Sequence, residues 1–354
     1  MNVYILDQSR DLIGIIDTYQ SFIWTERYYE AGDCELYIPA TSDNADLMQA
    51  GNYIAVRPDS MLCRITSVQT KTDVNNGRWL IVKGKDARSI LNQRVYTQRS
   101  YVAVYAKTTI RDIIENNAIS SGISARNIPD LQVDVDIPNT DPYWTTDTMF
   151  YCFDKIVEIC RQFGYGSRLP WDPDGGFVFQ LYLGTDRSAS QSTNPRLIFS
   201  EAMDNLTASD YTEDYNNFKN AAYILGEGQG CNRRQVSVGS ASGLNRYEMY
   251  VDGSSISQQP NSEEEPLTPM EYADVLAEAA RDELTKHNVA ISFSGTIADK
   301  LYSYGVDYGL GDIVTITSPF GVSYDVRITQ VIESDDTQNG HIYIPSFEYI
   351  RPTS

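Results

Sequence analysis

The sequence predicts a mainly β protein with α/β insertions: two related β-barrel domains, a small α/β domain between them, and a surface helix. Three observations predict it. Short β-branched and aromatic runs broken by Asp, Gly and Asn fill both ends of the chain, helical periodicity dominates the middle, and an internal repeat links the two ends. The domains fall at 1–95 (first barrel), 96–196 (α/β insertion) and 197–354 (second barrel, with a helical excursion at about 244–288).

Each element has a local reason. Val3–Leu6, Leu12–Ile16, Phe22–Trp24, Cys34–Ile38, Tyr53–Val56, Leu62–Val68 and Trp79–Val82 read as strands. A short helix is expected at Ala45–Ala50, capped by Asp43 or Asn44 and stopped by Gly51. Asn76-Gly77 signals a tight hairpin, because a two-residue type I′ turn needs positive φ at both central positions.

From Tyr96 the pattern turns helical. Ile110, Ile113 and Ile114 follow a cap at Thr108-Thr109 and fade at Asn116-Asn117. Met149, Phe153, Ile156, Cys160 and Phe163, with Phe150 and Val157 beside them, form one apolar stripe on a helix ending at Gly164. The hairpin Gly176–Leu183, with Phe177, Phe179 and Leu181 alternating around a preceding Asp174-Gly175-Gly176 turn, is the surface it packs on. Strands resume at Arg196–Phe199, Ala221–Leu225 and Gln235–Val238. After the acidic run Ser262–Glu265, Thr268-Pro269-Met270-Glu271 spells a capping box with Pro in the first helical position. A helix to about His287 follows, its narrow stripe Tyr272, Leu276, Ala279 and Leu284 suiting a surface helix laid across a sheet. Val289–Ile350 is strand-like again.

The repeat carries most information. Setting residues 64–81 against those 263 positions later pairs Arg64, Ile65, Thr66, Val68, Asp73, Asn76, Gly77 and Ile81 with Arg327, Ile328, Thr329, Val331, Asp336, Asn339, Gly340 and Ile344. That is eight identities in 18 positions, where composition alone gives about one. Upstream, Gly51–Val56 resembles Gly311–Ile316, and a longer hairpin at Pro319–Gly321 absorbs the three extra residues. One sheet plan is therefore expected twice, so that three chains can present six near-equivalent positions. The paired Gly51, Asn52 and Arg64 with Gly311, Asp312 and Arg327 are the candidate interaction residues.

Composition excludes several function classes. With 28 basic residues against 48 acidic, the net charge is −20, which disfavours specific nucleic-acid binding, because such affinity rests on Lys and Arg displacing counterions. No apolar run is long enough to span a bilayer, and no basic leader opens the chain. Cys34, Cys63, Cys152, Cys160 and Cys231 form no C-x-x-C pair and read as buried, reduced thiols. His287 and His341, the two histidines, have no metal-ligand spacing. Gly226–Gly230 lacks the lysine of a phosphate loop, Asp172–Gly176 lacks the closing Glu of a calcium loop, and Ser237–Gly243 is no nucleophile elbow. The expectation is no catalytic residue, no metal and no cofactor.

Trp24–Asp33, Glu35–Pro39 and Ile90–Arg94 resemble a family of siphophage tail proteins often found as prophage genes, and so do Tyr223–Gly228, Gly243–Glu248 and Tyr308–Asp312. The resemblance covers essentially the whole chain and implies the baseplate-hub or tail-associated protein N-terminal module. That module is a homotrimer with two tube-like barrels per subunit, stacked under the distal tail protein beside the tail tube and tape-measure proteins. It implies a virion structural protein, made and folded in the host cytoplasm, that sits at the tail tip and serves host attachment and DNA passage. Some relatives add a peptidase or glycan hydrolase; none is expected here after Ser354. Twenty-five Tyr and four Trp leave a glycan-binding adhesion module, with host cell-wall glycan as partner, as the alternative. A cell-wall hydrolase, needing only two suitably spaced carboxylates, is the weakest reading.

Overall fold

Alternation of buried and exposed side chains builds the first strands. β1 (Val3–Leu6), β2 (Leu12–Ile16), β3 (Ser21–Arg27), β4 (Asp33–Pro39), β5 (Tyr53–Ala55), β6 (Leu62–Asp73) and β7 (Gly77–Asp86) form one antiparallel run. Their inward residues Val3, Ile5, Phe22, Trp24, Leu36, Ile38, Ile54, Leu80 and Val82 make one buried cluster. The helix α1 (Ser42–Leu47) begins three residues earlier than its sequence suggested. Thr41 is its cap, its hydroxyl accepting from the Asn44 amide at 3.2 Å.

The computed structural model describes residues 1–56, 61–73, 77–97, 105–138, 140–143, 149–172, 176–203, 205–259, 266–297, 302–317, 321–337 and 340–350. The chain forms two units, Met1–Asp210 with Phe293–Pro352, and Tyr211–Ser292. Asn76, Asn339, Pro319, Phe320, the turn residues 173–175 and the acidic run Ser262–Glu265 lie outside the described residues.

Within the first unit, α2 (Ala106–Ile114), β8 (Leu131–Asp134), α3 (Cys152–Phe163), β9 (Gly166–Arg168), β10 (Trp171–Asp172) and β11 (Gly176–Tyr182) form the α/β part. Thr109 does not cap α2. It lies inside the helix and its hydroxyl donates to the Tyr105 carbonyl. Helix α3 ends at Gly164 in the left-handed conformation, as its sequence indicates, but Met149 precedes the helix and is 68% exposed. Ile156, Ile159 and Cys160 of α3 share a core with Phe177, Phe179 and Leu181 of β11, because the 3.6-residue stripe meets the two-residue alternation of a strand. Arg88 ties this part to the first strands. Fully buried, it bonds Asp86 through Nε (2.9 Å) and Nη2 (2.6 Å), the Ser167 carbonyl (2.6 Å) and the Arg27 carbonyl (3.0 Å).

The chain then runs through β12 (Ile198–Ser200) and β13 (Leu206–Asp214) into the second unit, where β14 (Ala221–Leu225), β15 (Gln235–Val238) and β16 (Glu248–Asp252) form a three-stranded sheet. Helix α4 (Pro269–Thr285) crosses it. Thr268 and Glu271 make the expected capping box, and the buried stripe is Tyr272, Leu276, Ala277, Ala280 and Leu284, with Ala279 at its margin. The chain returns by β17 (Ala290–Ile297), which pairs with β13, to β18 (Ile313–Thr317), β19 (Ser323–Asp336) and β20 (Gly340–Tyr349).

The protein is mainly β, as expected, but no sheet closes into a barrel among the described residues. Both copies of the repeat lie in one open eleven-stranded sheet of order β12-β18-β19-β3-β4-β7-β6-β5-β1-β2, with β20 on the far edge of β19. The physical reason is β3, which pairs with β4 on one edge and with β19 on the other. It joins the copies instead of closing the first upon itself.

Candidate assembly interface

The two copies share a backbone register, residue for residue. Ile65 faces Gly84 and Ile328 faces Phe347; Asp73 faces Gly77 and Asp336 faces Gly340. Both ladders slip by one residue at the same place, between Ile65 and Ser67 and between Ile328 and Gln330, which leaves Thr66 and Thr329 as equivalent bulges. A conserved-position bulge inside a long hairpin is a built feature that bends the strand.

The predicted interaction residues occupy the matching corners. Gly51 and Gly311 take φ of 96° and 94°, a conformation that favours glycine. Each amide donates to its own copy's isoleucine carbonyl, Gly51 to Ile65 at 2.9 Å and Gly311 to Ile328 at 2.7 Å. Asn52 and Asp312 are both buried, and their carbonyls accept from Ile65 (2.7 Å) and Ile328 (2.9 Å). Arg64 stands opposite Tyr53 and Arg327 opposite Ile313.

Their side chains then diverge. The Asn52 amide donates to the Leu47 carbonyl at 3.0 Å, holding α1. The Asp312 carboxylate accepts from Thr185 N (2.7 Å), Arg187 Nε (2.9 Å) and Gly309 N (3.0 Å). Arg327 lies over the Tyr28 ring at 5.2 Å and donates to the Tyr28 hydroxyl (3.2 Å) and the Gly164 carbonyl (3.1 Å). The second corner thus grips Tyr28 and the end of α3, which sequence reasoning missed because Tyr28 is distant in the chain and carries no motif.

The copies differ most along one strand edge. Gln330–Asp336 of β19 pair with Arg27–Ser21 of β3. The equivalent stretch of β6, Ser67–Asp73, pairs with β7 alone among the described residues. Thr66–Thr72 are all exposed, and the matched valines measure the difference: Val68 is 38% exposed and Val331 is 1%. A flat strand edge with unpaired backbone donors and acceptors is a template for another strand.

A polar cleft of 530 Å³ lies between Arg27, Tyr29, Glu30, Arg161, Gln330 and Glu348. Both of its arginines are ion-paired, Arg161 with Glu30 inside the cleft and Arg27 with Asp33 outside its lining at 2.6 Å. Burial pushes the Glu348 carboxyl above its ordinary value, against the pull of Arg161 and Arg327. Cys34, Cys63, Cys152 and Cys160 are buried thiols, as expected, whereas Cys231 is exposed. Burial pushes the Cys160 thiol up to about 12 and the Cys152 thiol to about 11. No helix among the described residues is long and apolar enough to cross a membrane.

Residues 2–347 match the family described as Siphovirus ReqiPepy6 Gp37-like protein. The chain belongs to that siphophage tail protein family. Its fold is that of other phage tail proteins. It is similar to the 43 kDa tail protein of prophage MuSo2 from Shewanella oneidensis (TM-score 0.63, 12% identity, covering 99% of this chain and 98% of that one). The tail protein from Neisseria meningitidis MC58 gives 0.61, 13%, 98% and 95%. The prophage tail protein gp18 from Listeria monocytogenes EGD-e gives 0.59, 11%, 99% and 96%. No curated protein matches the chain.

Proposed function

We propose that this phage tail protein is the tail-tip hub: three chains close a ring in which six copies of one sheet plan alternate, so that a threefold object docks on a sixfold tube. The observation that carries the reading is the common register of the two copies, down to the bulges at Thr66 and Thr329. Ladders with matching registers present their edges at matching positions, as near-equivalent sites in a closed ring require. In the ring the sheets of neighbouring chains continue one another and complete the barrel wall that one chain leaves open. The partners on either side are the distal tail protein and the tube and tape-measure proteins. The role is structural, with no bond made or broken by the chain. DNA passes through the centre, and the net charge of −20 keeps it from adhering by like-charge repulsion.

A mass measurement in solution with end-on negative-stain imaging tests the reading. A trimer with six peripheral lobes and a central hole is expected. A particle without threefold symmetry, alone and in isolated tails, contradicts it.

One observation favours a glycan-binding role for the second unit. Tyr223 and Tyr250 are cross-strand neighbours on β14 and β16, Tyr250 is 57% exposed, and Arg246 lies over Tyr223. Aromatic faces with polar rims suit wet recognition of sugars.

A further inference from the structure

Resting on the hub reading, we infer that the open edge of β6, Ser67–Asp73, is the joint between subunits, and that it takes β13, Leu206–Asp214, from the next copy of this chain.

Within one chain the covered edge shows what such a joint looks like: β3 lies antiparallel along β19, Arg27 opposite Gln330 through Ser21 opposite Asp336. The first copy offers the same edge with the same register and nothing on it among the described residues. Its partner should be the second copy's counterpart of β3. Element order points to β13. In the first copy β3 and β4 precede the β5-β6-β7 ladder; in the second, the paired strands β13 and β17 precede β18-β19-β20. The sequences agree. Trp24-Thr25-Glu26-Arg27-Tyr28 matches Tyr211-Thr212-Glu213-Asp214-Tyr215 at Thr, Glu and Tyr, with an aromatic residue at the first position of both. This alignment also ends both strands together, β3 at Arg27 and β13 at Asp214. The residues between β13 and β17, all of them in the second unit, then stand where the first copy has its short Tyr28–Gly32 turn.

Transferring the β19–β3 register predicts the pairs. Ser67 faces Asp214, Gln69 faces Thr212, Lys71 faces Asp210 and Asp73 faces Ala208. Lys71 against Asp210 is a complementary pair directly across the joint. Such pairs favour the correct register, and a lysine on an open edge discourages two β6 edges from pairing with each other. Because each chain carries one open β6 and one β13, the joint is head to tail and closes a ring.

The test is a disulfide in the full chain carrying Gln69→Cys and Thr212→Cys, with exposed Cys231 replaced by Ser. Mild oxidation is expected to yield reducible dimer and closed-trimer bands. Neither single variant gives them, and shifting the second cysteine to Glu213, which points to the other face of the strand, abolishes them. In parallel, Lys71→Glu is expected to weaken trimer formation on the order of tenfold, and Asp210→Lys in the same chain to restore it. A protein that is trimeric by mass yet gives no reducible trimer band overturns this joint and leaves the hub reading standing. A protein that stays monomeric, alone and in tails, overturns both.

Discussion

The hairpins β6–β7 and β19–β20 are the same ladder twice, with the same bulge and the same glycine corner, yet one is half bare and the other is built in. Their difference does not come from local sequence, since Arg-Ile-Thr and the valine two residues beyond are common to both. It comes from what lies alongside. β3 covers Gln330–Asp336 and Tyr28 packs against the second corner, whereas among the described residues Ser67–Asp73 and the first corner have neither. On the proposed reading, one joint is satisfied within the chain and the other is left for a neighbouring copy, which suits a closed ring.

The sharpest way to break this comparison is at the corner glycines. A Cβ on Gly311 would lie 2.1 Å from Cε2 of the fully buried Tyr28 ring, whereas one on Gly51 would meet only the flexible end of Gln8, at 3.0 Å. Both alanines meet the strain of positive φ, about 1–2 kcal/mol; Gly311→Ala must also displace a packed ring, for a total of about 4 kcal/mol. Chemical denaturation of the two variants checks the gap. Equal losses would mean that the corners are equivalent in packing as well as in backbone.

The paired arginines give a smaller contrast. Arg327→Ala removes a cation–π contact and two hydrogen bonds that hold Tyr28 and the end of α3, and should lower stability by about 2 kcal/mol. Arg64→Ala, on the half-exposed strand, should cost less than about 1 kcal/mol. Thermal melts of both variants in the monomer decide this, and the order reversed would show that Arg64 has the more important role.

Much of this fold was legible in the residues. The repeat was readable because backbone geometry constrains it: positive φ selects glycine at Gly51, Gly311, Gly77 and Gly340, and such positions survive divergence. The capping box of α4 and the glycine stop of α3 were readable for the same local reasons. What was not legible is tertiary. That β3 would cross to β19, and so leave the sheet open instead of closing two barrels, depends on a pairing between residues 21–27 and 330–336 that leaves no periodic trace in either strand. The early start of α1 at Ser42 turned on Thr41 outcompeting Asp43 and Asn44 as cap, a contest between similar residues. Of the candidate site, the matched corners were visible and the open edge was not, because the exposure of Thr66–Thr72 depends on which strands lie alongside and not on the strand's own composition.

Hydrogen exchange, followed amide by amide along β6 and β19 as the protein is concentrated from monomer to assembly, tests the central claim most directly. In the monomer the outward amides of Ser67–Asp73 should exchange freely while those of Gln330–Asp336, paired on both edges, are slow. On assembly the β6 amides should slow by on the order of tenfold or more while β19 stays unchanged. Protection of β6 that is already equal to that of β19 in the monomer, or that never rises in the trimer, would contradict the account.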